Sequence, residues 1–362
     1  MKTVLKQIYY DTRAAAGLLK NEFSAKTRIP WSNRVKLLVS GFTSDKLLLY
    51  DFQANAKNDY LCDWVRQRTR FINAKYSLVL NDKLLSTAVL SGHIKVPDVY
   101  AVIIDGKVIP FGETASVDSP YGIDLVIELV ESRRKVVMKP IDAAGGRGVM
   151  VLSRGRQGIC VNNENTKLDS LTRLINSLNR YMITEFVENA EYSKSLYDGA
   201  TNTIRILTMV DPDIGTPFIA AAVHRIGTEA TRPIDNFQGG RGGLVSKIDL
   251  ATGMLGLAIT LSENKRTQYS HHPDSGNQIA GVRVPRWEEL LQTILDVVRK
   301  MPYLIYVGWD VVINSENEFV VLEINNHSDF NLFQAHEPLL KNPRIRRFYE
   351  YYGVVGAGRY IR

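Results

Sequence analysis

A predicted β-hairpin at residues 309–325 places the strongest constraint on how this chain can fold. Its two strands read WDVVI and EFVVLEIN, and they flank the four-residue turn NSEN. Side chains alternate between the two faces of a strand, so an apolar row on one face predicts a polar row on the other. Asp310, Glu323 and Asn325 are therefore expected to share one face of the strand pair.

These three side chains carry oxygen atoms, which are the ligands that Mg²⁺ prefers in proteins. The hairpin therefore predicts a magnesium site. A sheet whose polar face meets water is the alternative for the hairpin in isolation, because many antiparallel sheets expose one face.

A second feature is a lysine at the end of a predicted strand, followed by a glycine-rich loop. The segment reads KVVMKP, IDAAGGRG and VMVLS, which places Lys139 before Gly145, Gly146 and Gly148. Backbone N–H groups of such a loop can approach phosphate oxygens closely. The spacing differs from that of a Walker loop, in which the lysine follows the glycines. Taken alone, a glycine-rich hairpin is more often a mobile turn.

The remaining pattern predicts an α+β protein rather than a doubly wound sheet, because a few helices accompany many antiparallel strands. Helices are predicted at residues 59–70, 168–180 and 287–301, with a short capped helix after Asn81. The mostly helical region before residue 75 includes one strand candidate at residues 35–40. Further strands are predicted from the segments VYAVII, YMITEFVE, TIRILTMV, PFIAAAVHRI and GLVSKIDL.

Charge and hydropathy limit the possible partners. The 45 Lys and Arg residues against 38 Asp and Glu give a net charge of +7, which is compatible with an anionic substrate, membrane surface or nucleic acid. The densest basic stretch contains Arg66, Arg68 and Arg70. We predict a solvated helix face there, with a phosphate-binding face as the alternative, and no nucleic-acid partner. No apolar run is long enough to span a membrane, so we expect a cytoplasmic protein.

The order of these features resembles the ATP-grasp superfamily over about residues 76–333. Asp82-Lys83, Lys139 with its glycine loop, Thr184-Glu185-Phe186-Val187-Glu188 and the acidic hairpin are similar to the motifs of that family. The resemblance implies an ATP-grasp fold, in which two α+β subdomains clamp ATP between antiparallel sheets. We expect an N-terminal, mostly helical region at 1–75, a first part with the glycine-rich flap at 76–183, and a second part with the metal-binding hairpin at 184–362.

The resemblance also implies a role for each motif. Lys83 and Lys139 would contact the α- and β-phosphates of ATP, under a flap built from Gly145, Gly146 and Gly148. Adenine would be bound around Glu185, Phe186 and Val187, and the ribose hydroxyls by Glu188 or Glu191. Asn236 is assigned to the same site, with tight-turn chemistry as the alternative. Asp310, Glu323 and Asn325 match the ligands of one or two Mg²⁺ ions.

Within the superfamily, the chain is similar to the sugar-transfer-associated ATP-grasp proteins. The segments that support this are RTRFINAKYSLVLNDK, NTIR at residues 202–205, DNFQGG at 235–240 and HPDSG at 272–276. The hairpin departs from the glutamate-x-asparagine-x-x-proline ending of peptide ligases, since it continues as Asn325-Asn326-His327-Ser328. This difference concerns the acceptor substrate more than the ATP chemistry.

The activity implied is that of a carboxylate-amine ligase, which forms an amide through an acyl phosphate and releases ADP and phosphate. Arg205 and Arg225 would stabilise the oxyanion near the γ-phosphate, with a structural ion pair as the alternative for each. The expected substrates are an amino acid and either an aminosugar or a second amino acid, with a glycan precursor as a possible partner and a homodimer as the assembly. An ATP-dependent kinase and a non-catalytic nucleotide-binding protein are the alternative functions.

Overall fold

The computed structural model describes residues 12, 14–23, 27–112, 121–143, 145–156, 158–237 and 242–356. The described chain divides into two compact units. The smaller unit contains Asn81–Glu191 and Val312–Glu323. The larger unit contains the described residues up to Leu80, then Tyr192–Val311, and the described residues from Ile324 onward. The predicted hairpin therefore contributes residues to both units.

The smaller unit is built on a seven-stranded antiparallel sheet with the order β2-β1-β7-β3-β4-β5-β6. Its strands are β1 (Val99–Ile104), β2 (Lys107–Pro110), β3 (Lys135–Pro140), β4 (Met150–Gly155), β5 (Gly158–Val161), β6 (Glu164–Thr166) and β7 (Tyr181–Glu185). The helices Ile123–Arg133 and Leu168–Asn176 bury Val126, Val130 and Leu171 in one core with this sheet. Val136 and Met138 of β3, two residues apart and so on one face of the strand, belong to that core.

Several predicted elements of the smaller unit are confirmed. The strands around the glycine-rich loop are β3 and β4, which pair antiparallel as a hairpin. The helix after Asn81 spans Lys83–Leu90, and the Asp82 side chain accepts a hydrogen bond from Leu85 N at 3.0 Å, as an N-cap does. The helix predicted at 168–180 is shorter and ends at Asn176.

The larger unit is built on a second sheet with the order β12-β11-β10-β9-β8-β13-β14. Its strands are β8 (Thr203–Val210), β9 (Pro217–Ile226), β10 (Leu244–Ile248), β11 (Leu255–Ser262), β12 (Lys265–Tyr269), β13 (Tyr306–Ile313) and β14 (Phe319–Asn325), of which β13 and β14 continue into the smaller unit. Its α-helices are Trp31–Val39, Lys46–Leu49, Asp63–Arg66, Ser77–Asn81, Trp287–Lys300, Asn331–Gln334 and Pro343–Tyr351, and residues 14–23 are also helical. Residues Glu191–Leu196 form a short helix at the boundary of the units.

The N-terminal region shares a hydrophobic core with the C-terminal helix of the same unit. Phe42, Tyr50 and Tyr60 are buried together with Phe330 and Phe348. The rings of Tyr50 and Tyr60 stack with their centroids 4.6 Å apart. Aromatic burial of this kind is a large apolar contribution to stability, so the N-terminal helices are part of the larger unit.

Two predictions for the N-terminal region are wrong in detail. Residues 35–40, predicted as a strand, belong to the helix Trp31–Val39 and the turn that follows it. Only Leu37 of this helix is buried, and the others are half-buried or exposed. A short apolar run of this kind is compatible with a strand or with one side of a helix. The helix predicted at 59–70 is divided into the helix Asp63–Arg66 and the 3₁₀ segments Lys57–Asp59 and Gln67–Phe71.

Within the described part of the chain, no helix has both the length and the apolar character that a membrane span requires.

Candidate functional site

Two lysines and one glutamate come together in the smaller unit. Lys83 opens its helix, and its backbone N–H donates to Ile141 O at 2.9 Å, just beyond the end of β3. The Lys83 ammonium donates to Ala143 O and lies 3.6 Å from the Glu323 carboxylate. The Lys139 ammonium donates to Leu322 O at 3.3 Å. The two ammonium groups therefore reach neighbouring residues of β14, Lys83 at Glu323 and Lys139 at Leu322.

Lys139 is a buried cation. Lys139 is 9% exposed, and burial lowers the pKa of its ammonium from 10.5 to about 8. Glu323 acts in the opposite direction and raises this pKa, while the charge of Lys83 lowers it further. Two cations held close together with one carboxylate favour a bound polyanion, since its charge offsets the cost of burying the ammonium.

The glycine-rich loop adopts backbone conformations that favour glycine. Gly145, Gly146 and Gly148 have φ values of 72°, 66° and 76°. A Cβ atom at Gly148 would lie 2.5 Å from the Tyr181 hydroxyl, whereas a Cβ at Gly145 would meet nothing within 4 Å. The loop therefore makes a close approach to β7 at Gly148. Residue 144 lies outside the described residues.

Alanine substitution of Gly145 and of Gly148 should separate the cost of backbone strain from the cost of the close approach to Tyr181. We expect Gly145→Ala to lower the free energy of unfolding by about 1 kcal/mol through its positive φ, and Gly148→Ala to lower it by about 2–3 kcal/mol. Urea unfolding measures both values. Adding Tyr181→Phe to Gly148→Ala should restore the part of the unfolding free energy that Gly148→Ala loses beyond Gly145→Ala. The second substitution removes the oxygen that the new methyl group meets. Equal losses for the two single variants would contradict a packed loop.

The segment predicted to bind adenine begins at the end of β7. Glu185 N donates to Asp98 O at 2.9 Å, and the Glu185 carboxylate accepts from Asp98 N at 3.3 Å. Burial raises the pKa of the Glu185 carboxyl. The ring of Phe186 lies beside the Lys135 ammonium, 5.0 Å from its centroid. The backbone N–H of Glu185 is thus already used within the smaller unit.

Val187 lies in an apolar part of the smaller unit. It packs with Val312, Val320 and Leu322 in a small apolar cluster. Among the described residues, its backbone N–H and C=O have no hydrogen-bond partner. An apolar wall beside unpaired backbone groups is suited to a planar heteroaromatic ring.

The predicted ribose ligands, Glu188 and Glu191, are both exposed, and the Glu188 carbonyl accepts a hydrogen bond from Ser315 N at 3.0 Å.

The hairpin is confirmed, but its two faces differ from the simple alternation expected. β13 is buried along its whole length. Val312, two residues from Asp310, contacts Val320 and Leu322. The side predicted to be polar therefore also carries apolar contacts, since both faces of β13 are covered.

Asp310 is the centre of a buried charge cluster in the larger unit. It lies directly opposite Arg205 in the β13–β8 register. Arg205 Nε donates to Asp310 Oδ1 at 2.5 Å and Arg205 Nη2 donates to Oδ2 at 2.8 Å. Arg225 Nη2 is 3.4 Å from Asp310 Oδ2. The Asp310 and Arg205 side chains are 2% and 6% exposed, so this is a bidentate pair held away from water.

Arg225 has a second acidic partner that the sequence did not predict. Its Nη2 lies 3.3 Å from Asp235 Oδ1, and its Nε donates to Thr203 Oγ1 at 2.8 Å. Thr203 in turn donates to Asp235 from both its hydroxyl and its backbone N–H, at 2.5 and 2.8 Å. Burial raises the pKa of the Asp235 carboxyl, and the Arg225 charge opposes that shift. The only signal in the sequence was the acid that precedes Asn236.

His224, next to Arg225 on β9, contacts different groups. Its Nε2 lies 3.2 Å from the Tyr192 hydroxyl and its Nδ1 lies 3.0 Å from Arg225 O. Burial lowers the pKa of its imidazole to about 4, so the ring is neutral at pH 7. Arg225, rather than His224, is therefore the cation that reaches Asp310.

The side chains predicted to hold Mg²⁺ are those of Asp310, Glu323 and Asn325. Asn325 lies 3.5 Å from Asp310 Oδ2 through its amide nitrogen. Two carboxylates and one amide are hard oxygen donors that suit Mg²⁺. Within the described residues, no group of three or more His, Cys, Asp or Glu side chains is arranged to hold a metal ion. Asp310 would have to share its carboxylate between a metal and Arg205.

Asn236 is half-buried beside Asp235. A Cβ atom at Gly243 would lie 2.3 Å from the Asn236 carbonyl oxygen, so the two chain segments are in close contact. Residues 238–241, which include two glycines of the DNFQGG segment, lie outside the described residues.

Comparison with known proteins identifies the family. A family model described as sugar-transfer associated ATP-grasp matches residues 66–346. No curated protein matches the sequence.

Solved structures that resemble the chain include three ligases. D-alanine-D-alanine ligase from Coxiella burnetii is 12% identical over 77% of this chain and 60% of that one, with a TM-score of 0.39. D-alanyl-alanine synthetase A from Vibrio cholerae is 11% identical over 77% of this chain and 62% of that one, with a TM-score of 0.41. The ATP-grasp ligase PsnB, complexed with minimal precursor, Mg and ADP, is 12% identical over 76% and 61%, with a TM-score of 0.37.

The chain spans about three fifths of the length of these three solved structures. Their TM-scores are all below 0.5, so the family assignment depends on the family model, which covers more than half of the chain. This chain belongs to the sugar-transfer associated ATP-grasp family.

Proposed function

We propose that the protein is an ATP- and Mg²⁺-dependent carboxylate-amine ligase that works through an acyl phosphate. The observation that carries the proposal is the pair of ammonium groups, Lys83 and Lys139, held beside Glu323 in the smaller unit. A cation pair with a buried, desolvated member fits the phosphates of a nucleotide. Membership in the ATP-grasp family supports ATP as that nucleotide.

Each group has a task that its surroundings support. Lys83 and Lys139 would bind the α- and β-phosphates, and the backbone of Val187 the adenine. Glu188 or Glu191 would bind the ribose. Mg²⁺ held by Asp310, Glu323 and Asn325 would neutralise charge on the phosphates.

In the reaction, an oxygen of the substrate carboxylate attacks the γ-phosphorus, and ADP leaves with the electron pair of the broken P–O bond. The amine then attacks the acyl carbon, phosphate departs, and the amine loses a proton to give the amide. Arg205 and Arg225 would stabilise the negative oxygen that develops at the acyl carbon. The loop with Gly145 and Gly148 would limit access of water to the acyl phosphate.

The family description supports a substrate in sugar metabolism, so we propose an amino acid as the carboxylate and an aminosugar or second amino acid as the amine. A glycan precursor as partner, a homodimer and a cytoplasmic location stay predictions.

An ATP-turnover assay with Mg²⁺ tests the proposal. Amino acids are supplied with and without aminosugar acceptors, and nucleotide, phosphate and amide products are measured. We expect ADP and phosphate in equal amounts, with turnover that requires both a carboxylate and an amine. AMP as the product would overturn the acyl-phosphate mechanism. A stable phosphorylated product without an amine would instead indicate a kinase.

A further inference from the structure

A second feature of the larger unit is a cavity of about 390 Å³ with a basic lining. The lining includes Lys20, Asn21, Arg66, Gln67, Arg70 and His327, which we call the basic cavity. Three of these side chains, those of Lys20, Arg66 and Arg70, are basic, and among the described lining residues none is acidic. Clustered like charges repel one another, so this arrangement favours an anionic occupant.

The arginine-rich segment does not form the solvated helix face predicted from the sequence. After the helix Asp63–Arg66 the backbone continues as the 3₁₀ segment Gln67–Phe71. Arg66 and Arg70 both line the basic cavity. Arg68, which lies between them in sequence, instead donates to Val354 O at 3.4 Å. Two of the three arginines are thus directed to one cavity.

Arg66 is held in place but is not fully satisfied by the protein. Its Nη2 lies 3.6 Å from Asp329 Oδ1, and its guanidinium carbon lies 5.9 Å from the centre of the Phe330 ring. Its Nε is buried and has no hydrogen-bond partner. A buried donor without a partner is destabilising, and more so when its group is charged.

The lining also indicates the kind of anion. Guanidinium groups offer parallel N–H donors that match the oxygens of a carboxylate or a phosphate. The amides of Asn21 and Gln67 can bind hydroxyl groups. A cavity of 390 Å³ is in the range of small-molecule sites and exceeds what a single oxyanion fills. The expected ligand is therefore a small hydroxylated molecule that carries an oxyanion.

The basic cavity is connected to the Asp310 cluster by one short segment of the larger unit. Asn325 contacts Asp310 at 3.5 Å, and Ser328 accepts a hydrogen bond from Arg205 Nη1 at 3.4 Å. His327, between them, lines the basic cavity. His327 is oriented by Thr69, whose Oγ1 lies 2.9 Å from its Nδ1. Residues of one segment therefore reach both sites.

We propose that the basic cavity binds the oxyanion of a small polar substrate, a phosphate ester or a carboxylate, in the ligase reaction. The proposal rests on the proposed function for the identity of the ligand as a substrate. Arg66 and Arg70 hold the oxyanion, and the segment at 325–329 places the rest of the molecule beside the Asp310 cluster.

Calorimetric titration of the full chain tests the proposal with three probes that share a sugar ring and differ in the charged group attached to it. Glucose 6-phosphate carries a phosphate ester, glucuronate a carboxylate and glucose neither. We expect at least one anionic probe to bind while glucose does not, and the stronger of the two identifies the oxyanion. Arg66→Gln and Arg70→Gln should each weaken that binding about tenfold or more. Arg68→Gln, which removes the same charge from the same segment, should change it less than about twofold.

Two results would overturn the proposal: neither anion binds better than glucose, or Arg68→Gln weakens binding as much as the other two variants. Arg70 is exposed, so Arg70→Gln keeps the test valid if Arg66→Gln does not fold. ADP binding with Mg²⁺ is measured in the same proteins and should be unchanged in all three variants. Failure of the wild-type protein to bind ADP with Mg²⁺ would instead count against the proposed function, independently of the basic cavity.

Discussion

Replacing Lys139 with methionine is expected to reduce ATP turnover at least about a hundredfold while making the protein more resistant to urea. The ammonium is buried and its pKa is lowered to about 8, which shows that the folded protein holds this charge at a cost. Methionine has a similar length and no charge, so its burial avoids that cost. We expect a gain in the free energy of unfolding on the order of 1–3 kcal/mol at neutral pH.

Lys107→Met is the matched control, since Lys107 lies on β2 of the same sheet and is exposed. It should change the free energy of unfolding by less than about 0.5 kcal/mol and leave turnover intact. A Lys139→Met protein that is clearly less stable, or that keeps full turnover, would remove Lys139 from the assigned role.

The pH dependence of stability gives a second measurement on Lys139. Its folded-state pKa of about 8 is below the ordinary value of 10.5, so the unfolded chain binds more protons than the folded one between these values. The contribution of Lys139 to stability should therefore rise as pH increases through this interval. The metal-free wild-type protein should show this rise, and Lys139→Met should lack it.

Replacing Asp310 with asparagine is expected to have the largest effect on stability, a loss of about 3–5 kcal/mol. Arg205 is buried against this carboxylate, and Arg225 also reaches it. Without the negative charge, the Arg205 guanidinium remains desolvated with only partial compensation. Equilibrium unfolding in urea measures the change, and failure of the variant to fold would be a loss in the same direction.

The surface pair of Asp213 and Arg347 is the matched control. It has the same bidentate geometry, with Nε and Nη2 of Arg347 at 2.9 and 2.7 Å from the Asp213 oxygens, but both side chains are 50% exposed. Asp213→Asn should cost less than about 1 kcal/mol, because water solvates both charges.

Removing both charges of the buried pair, with Asp310→Leu and Arg205→Met, should recover much of the loss caused by Asp310→Asn. Equal costs for Asp310→Asn and Asp213→Asn would contradict the importance of burial.

The sequence predicted elements most reliably where a local pattern decides the backbone. The strands that flank the glycine-rich loop, the capped helix that begins at Lys83 and the hairpin of β13 and β14 are all confirmed. The strand predicted at 35–40 is wrong because a short apolar run fits either a strand or one side of a helix, and only packing around Leu37 distinguishes them.

The sequence by itself determined the family, the α+β fold class with its antiparallel sheets, and the types of residue that the proposed chemistry needs. These depend on residues close together in the chain, whose backbone period is fixed by local sterics and hydrophobic alternation. Only the tertiary structure decided which charged groups meet. Arg205 and Asp310 are 105 residues apart and pair through the register of β8 and β13. Arg66 and Arg70 line the basic cavity, while Arg68 donates to Val354 O. The partner of each charge is therefore selected by tertiary contacts and burial rather than by spacing in the sequence.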